Sequence, residues 1–200
     1  MPKALVRDGD RLWVEQALRT LQNGGCDPVV VVLGAAADQV RDEADLSGAT
    51  VVVNPDWESG MGSSLRAGLA TLSALSVAAL PEETSRSVTD WVARPGPAGR
   101  RAGTIDAALV LLVDTPGVTA AAVSRLVQYA HPAVLAVATY HGRRGHPVLL
   151  GRDHWDGVAE LAIGDVGARA YLRTRPVQEV PCEDIAWGGD VDLPSSEPDT

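Results

Sequence analysis

Hydrophobic positions along this chain come in short blocks that switch between two periods. Val29 to Leu33 and Thr50 to Val53 are unbroken aliphatic, β-branched runs, the pattern of strands buried in a sheet. Between and before them the spacing turns helical. Leu12, Trp13, Gln16, Ala17, Thr20 and Leu21 set an apolar stripe against a polar face, and Asn23-Gly24-Gly25 ends it. Ala35 to Ala44 is a second helix, with Asp38, Arg41, Asp42 and Glu43 on its wet side. Ala107 to Val113 is a further apolar run, too short for a membrane span and closed by Asp114-Thr115-Pro116. It reads as a central strand buried on both faces.

The second half continues the alternation. Thr119 caps a helix to Tyr129, and Val134 to Tyr140 is a strand. Gly142 to Gly145 reads as a tight turn, and His146 to Leu150 returns as a second strand. Helices over Asp153–Leu161 and Val166–Arg173 and a strand over Val177–Val180 follow. Helix and strand in turn predict an α/β fold with right-handed crossovers, a mostly parallel sheet and one β-hairpin. Trp57 to Ser64 is a Gly/Ser loop opening a long helix from about Ser63 to Leu80, with Ser63 or Ser64 as its cap. Residues 81–103 lack periodicity and read as an insertion, and 195–200 as a frayed tail, leaving one domain over 1–194.

Composition narrows the class. The formal net charge of −9 gives no reason to expect nucleic acid or an anionic membrane as partner, so an anionic ligand needs a local positive pocket. Cys26 and Cys182 form no metal-spacing motif or disulfide framework, and no signal segment is evident, so a cytoplasmic protein is expected. Among the 17 basic residues only Lys3 is lysine. His131, His141, His146 and His154 lack metal spacing, and there is no Walker loop, G-x-G-x-x-G or G-x-S-x-G.

Three features carry candidate chemistry. Asp114 ends the central strand, where ligands of open α/β sheets collect, and Asp190 and Asp192 sit in a late loop. Two such carboxylates meeting at one point would hold Mg²⁺ with phosphates and water. The Gly/Ser loop offers helix N–H groups to an anion or a base edge. Arg143-Arg144-Gly145-His146-Pro147, beside Gly164-Asp165-Val166-Gly167-Ala168-Arg169, supplies cations for an anionic substrate. Taken singly, each is as readily a solvated loop or a capped helix.

Together the motifs PKALV, NPDWESGMGSSLRAGL, LLVDTPGVT, GRRGHPVLL, GDVGAR and GGDVDLP, in this order, resemble the nucleotidyltransferases of molybdenum-cofactor biosynthesis. The nearest branch is the molybdenum cofactor cytidylyltransferases, with the molybdopterin-guanine dinucleotide synthases, the MobA-like enzymes, further away. The resemblance spans nearly the whole chain. It implies a Rossmann-like three-layer sandwich of the nucleotide-diphospho-sugar transferase type. It also implies transfer of NMP from an NTP, CTP or GTP, to molybdopterin with release of pyrophosphate. Lys3 and Asp114 would be catalytic, and Asp114, Asp192 and Asp190 the metal carboxylates for Mg²⁺. Lys3, Asn54, Gly60, Met61, Ser63, Ser64 and Leu65 would line the nucleotide, and Arg144, Gly145, His146, Pro147, Asp165, Gly167 and Arg169 the pterin substrate. A molybdoenzyme or its maturation factor would be the protein partner.

Such proteins open with a strand and a loop of the type LAAGxSxRMG that ends in the lysine. Only the end of that segment is present here, so the first strand and loop are expected to be missing from the middle of the sheet, with the natural start upstream of Met1. A chaperone that binds the cofactor without transferring a nucleotide is a second reading, and a sugar-phosphate nucleotidyltransferase a third.

Overall fold

The computed structural model describes residues 2–78 and 104–191. The expected insertion at 81–103 and tail at 195–200 lie outside them. A two-residue ladder, β1 (Arg7–Asp8) with β2 (Arg11–Leu12), leads into α1 (Trp13–Asn23). β3 (Val29–Leu33), α2 (Ala37–Glu43) and β4 (Ala49–Val53) form a parallel crossover in which Val29 pairs with Ala49 and Leu33 with Val53. After α3 (Met61–Ala78) come β5 (Ala107–Val110), α4 (Ala120–Val127), β6 (Leu135–Tyr140), β7 (Arg143–Gly151), α5 (Trp155–Leu161), α6 (Arg169–Leu172) and β8 (Gln178–Pro181).

A four-stranded sheet has the order β5-β7-β6-β8. β7 is antiparallel to both β5 and β6, and β8 is parallel to β6. β5, β6 and β8 therefore run one way and β7 alone is reversed, as a parallel sheet with one inserted hairpin requires. Side-chain alternation builds the layers. Leu135 and Val137 of β6 and Val148 and Leu150 of β7 join Leu69 of α3, Trp155 and Val158 of α5, and Tyr171. Ala136, Ala138 and Leu149 point the other way, onto Ala122, Val123 and Leu126 of α4. The result is the expected three-layer α/β/α sandwich.

Among the described residues β3 and β5 do not pair, and the two sheets stay separate. A cavity of about 2000 Å³ lies between them, lined by Val29 to Leu33 on one side and Ala107 to Asp114 on the other. This explains why β5 is only partly buried, where the sequence predicts burial on both faces. β5 is also shorter than the apolar run. Its ladder stops at the pair Val110–Val148, because Pro147 follows with no N–H to offer.

Three other elements differ from the sequence reading. The hairpin turn is His141-Gly142, with φ of 50° and 76°, so Arg143 and Arg144 are strand residues. α3 starts at Met61, and neither Ser63 nor Ser64 caps it. Gly167, with φ of 54°, stops a helix from running through Val166, so α6 begins only at Arg169. Thr119 does cap α4, its hydroxyl accepting from the N–H of Ala122 at 3.3 Å. No helix among the described residues is long and apolar enough to cross a membrane.

Leu150 is fully buried in β7, the strand paired on both edges. Leu150→Ala is expected to cost about 2–5 kcal/mol, read by chemical denaturation.

Candidate functional site

Asp114 sits where chain geometry leaves it little freedom. Thr115 beside it is buried, and its hydroxyl donates to the carbonyl of Leu112 at 2.7 Å, closing the turn after β5. Asp114 Oδ2 accepts from Lys3 Nζ at 2.8 Å across 111 residues. Its other oxygen, Oδ1, is buried and has no hydrogen-bond partner among the described residues. A buried carboxylate oxygen without a donor is costly, so the position fits a cation better than it fits an ordinary ion pair. A hard divalent cation with oxygen ligands suits this donor set.

The late acidic loop comes to the same place. Val191 N–H donates to the carbonyl of Asp114 at 2.9 Å, and Trp187 N–H to that of Gly117 at 3.1 Å. Asp190, exposed between these anchors, is thus brought to the Asp114 turn. Asp192 lies outside the described residues. No group of three acidic, His or Cys side chains among the described residues is gathered tightly enough to ligate a metal unaided. Asp114 and Asp190 line the same cavity.

His146 faces this end from β7. Its Nδ1 lies 3.3 Å from the carbonyl of Val110, so Nδ1 carries the hydrogen and Nε2 the lone pair. Burial holds its pKa below the ordinary 6.5, while the Val110 carbonyl and the charges of Asp190 and Asp114 pull up and Arg169 pulls down. Arg169, exposed at the start of α6, lines the same cavity as His146 and Asp190. Arg144 is engaged elsewhere: Nε donates to Glu179 Oε1 of β8 at 2.8 Å, in a pair half-open to solvent.

The segment expected around the nucleotide is a tightly bonded knot. Asn54 is buried, with Nδ2 donating to Ser63 Oγ at 2.8 Å and Ser64 Oγ at 3.0 Å. Its Oδ1 accepts from Asp56 N–H at 3.0 Å. These serines therefore act as acceptors for Asn54 rather than as helix caps. The cap comes from far away: Asp165 Oδ1 accepts from Met61 N–H at 3.3 Å. Gly60 permits this, since a Cβ there would overlap the backbone of Gly164. Arg66 donates to the carbonyl of Ala162, binding α3 to the same loop. Gly167, which approaches Met61, Leu65 and Arg169 share one cavity. The structure thus joins Lys3, Asp114, Asp190, His146 and Arg169 at one end. It puts Met61, Ser64 and Leu65 on the α3 wall, and spends Asp165 on the helix start and Arg144 on β8.

Sequence reasoning missed Tyr140, whose hydroxyl donates to the carbonyl of His146 at 2.8 Å, and Trp187, exposed at the cavity wall. The glycine pair Gly188-Gly189 ahead of Asp190 was the available signal, because adjacent glycines mark close backbone approach.

A family model described as MobA-like NTP transferase domain matches residues 1–180. Nicotine blue oxidoreductase of Paenarthrobacter nicotinovorans is 36% identical over 200 residues, covering 96% of this chain and 83% of its own length. Among solved structures, the Rv0371c homologue from Mycobacterium sp. strain JC1 matches with a TM-score of 0.68 and 26% identity, over 95% of this chain and 82% of that one. Rv0371c of Mycobacterium tuberculosis, in complex with manganese, matches with a TM-score of 0.66 and 25% identity, over 90% and 80%.

Two measurements check this geometry. Asp165→Ala removes the carboxylate at the start of α3 and is expected to cost about 0.5–1 kcal/mol by denaturation. For His146, the folded pKa lies below the unfolded one. The stability tied to its neutral form is then complete above pH 6.5 and lost as pH falls through the lowered value. NMR titration is expected to place its midpoint below the ordinary histidine range, and His146→Gln to flatten stability over that acid window.

Proposed function

The chain belongs to the MobA-like NTP transferase family, and we propose that it moves a nucleoside monophosphate from an NTP, CTP before GTP, onto the phosphate of molybdopterin. The observation that carries this reading is Asp114, with one oxygen on the Lys3 ammonium and the other buried and without a hydrogen-bond partner among the described residues. A phosphate oxygen of the acceptor attacks the α-phosphorus, the bond to the bridging oxygen of the β-phosphate breaks, and pyrophosphate leaves. Mg²⁺ held by Asp114, Asp190 and Asp192 would neutralise charge on the phosphate oxygens. That a structurally similar protein forms a manganese complex supports a divalent ion.

The chain's own groups do the positioning. Lys3 puts an ammonium at the mouth of the site, beside the phosphates. Asn54 fixes the first turn of α3, which presents Met61, Ser64 and Leu65 to the nucleotide. Arg169 meets the anionic acceptor. Arg144 joins it by giving up Glu179, since an exposed ion pair is worth less than about 1 kcal/mol. His146 stays neutral and orients through Val110, adding no repulsion between the cations. Residues 1–194 work as one cytoplasmic domain, with 81–103 an insertion.

Pyrophosphate release with CTP, GTP or ATP, Mg²⁺ or Mn²⁺ and molybdopterin tests the reading. Release with CTP is expected, and Asp114→Asn should slow it at least about a hundredfold. Equal release by the variant would remove Asp114 from the reaction. The name of the 36% identical relative favours a second reading, an oxidoreductase on this scaffold. Oxidation of a reduced nicotinamide nucleotide by an aromatic acceptor, with no pyrophosphate from any NTP, would decide for it.

A further inference from the structure

We infer that Tyr140 is a positioning residue: its ring is the platform that sets the Asp190 loop against the His146 hairpin. The inference rests on the proposed metal and phosphate site and adds to it the part that fixes its spacing.

Three observations converge on that ring. A Cβ on Gly188 would overlap Tyr140 Cε2, Cδ2 and Cζ, so the backbone of Gly188 lies directly on the ring edge. A Cβ on Gly145 would come within 3.2 Å of the same edge, so the hairpin presses on it too. The hydroxyl then donates to the carbonyl of His146 at 2.8 Å. One side chain thus touches both the strand that aims His146 and the loop that carries Asp190. Burial pushes the Tyr140 hydroxyl up to about 12, so it remains a donor at any working pH.

A second ring completes the clasp. Trp187 N–H is tied to Gly117, and a Cβ on Gly117 would lie 2.7 Å from Trp187 Cε3. A Cβ on Gly189 would lie 2.8 Å from Trp187 Cε2. The loop is therefore bonded at Gly117 and Asp114 and bears on Tyr140 and Trp187 between them. Without side chains, Gly188 and Gly189 can run this close. With a carboxylate next in sequence, small shifts of this backbone move Asp190 relative to Asp114. Partners behind a ligand commonly tune metal affinity by 10–100-fold.

Residue-resolved hydrogen exchange and Mn²⁺ titration on the full chain test this. Tyr140→Ala and Gly188→Ala are each expected to speed exchange of the Val191 amide at least about tenfold, with the Leu150 amide of β7 unchanged. Both are expected to weaken Mn²⁺ binding by about 10–100-fold. Tyr140→Phe keeps the ring and is expected to keep Val191 protected, which separates the platform from the hydroxyl. If Tyr140→Ala does not fold, Gly188→Ala alone carries the test. Unchanged Val191 exchange, or faster exchange with unchanged Mn²⁺ affinity, overturns the inference. Failure of the unmodified protein to release pyrophosphate overturns the proposed function instead, and exchange and Mn²⁺ binding still read the clasp.

Discussion

An ammonium 2.8 Å from one oxygen of Asp114, and no donor among the described residues for the other, is the constraint that orders the site. Two opposite charges at this separation attract strongly only where water is scarce, and Asp114 is one-fifth exposed. The ion pair alone does not account for the arrangement, because a buried acceptor left unsatisfied costs about 1–3 kcal/mol. Folded proteins keep such costs where a ligand removes them. A divalent cation on the open oxygen would do so, and the Lys3 ammonium then sits one oxygen away from it, beside the negative charge a nucleotide brings.

Everything around Asp114 follows from how the chain gets back to it. Asp114 follows four residues beyond β5, outside the carboxyl end of that strand, where α/β sheets present ligands. The loop after β8 returns and bonds to Asp114 through Val191. The β5–β7 ladder ends at Val110–Val148, and the carbonyl of Val110 fixes the tautomer of His146. On the far wall, Asp165 and Arg66 tie α3 to the loop before α6. Long-range bonds between backbone and side chain therefore set the cleft, while the two apolar layers of the sandwich set only the frame.

Much of that frame was legible in the residues. Val29 to Leu33 is a strand with the bounds its apolar run implies, and Thr119 caps α4 as its position suggests. Local pattern failed where distant residues decide. Gly142 drew the expected turn two residues late, because His141 itself adopts the left-handed backbone that the two-residue turn needs. Ser63 and Ser64 have the chemistry of caps, yet a buried asparagine claims them and the carboxylate of Asp165, 104 residues from Met61, takes their place. Arg144 and Asp165 carry the charges expected of a substrate site, but each already has a partner that no spacing rule reveals. Tyr140 sits at the end of a strand like any amphipathic residue, and only the folded backbone of Gly188 shows what its ring supports.

Anomalous diffraction from crystals grown with Mn²⁺ and CTP would show where the ion sits relative to Asp114. A manganese peak in direct contact with Asp114 Oδ1, with the CTP phosphates on its far side, is expected. A bound CTP whose metal lies away from Asp114, with Oδ1 still unligated, would contradict that expectation.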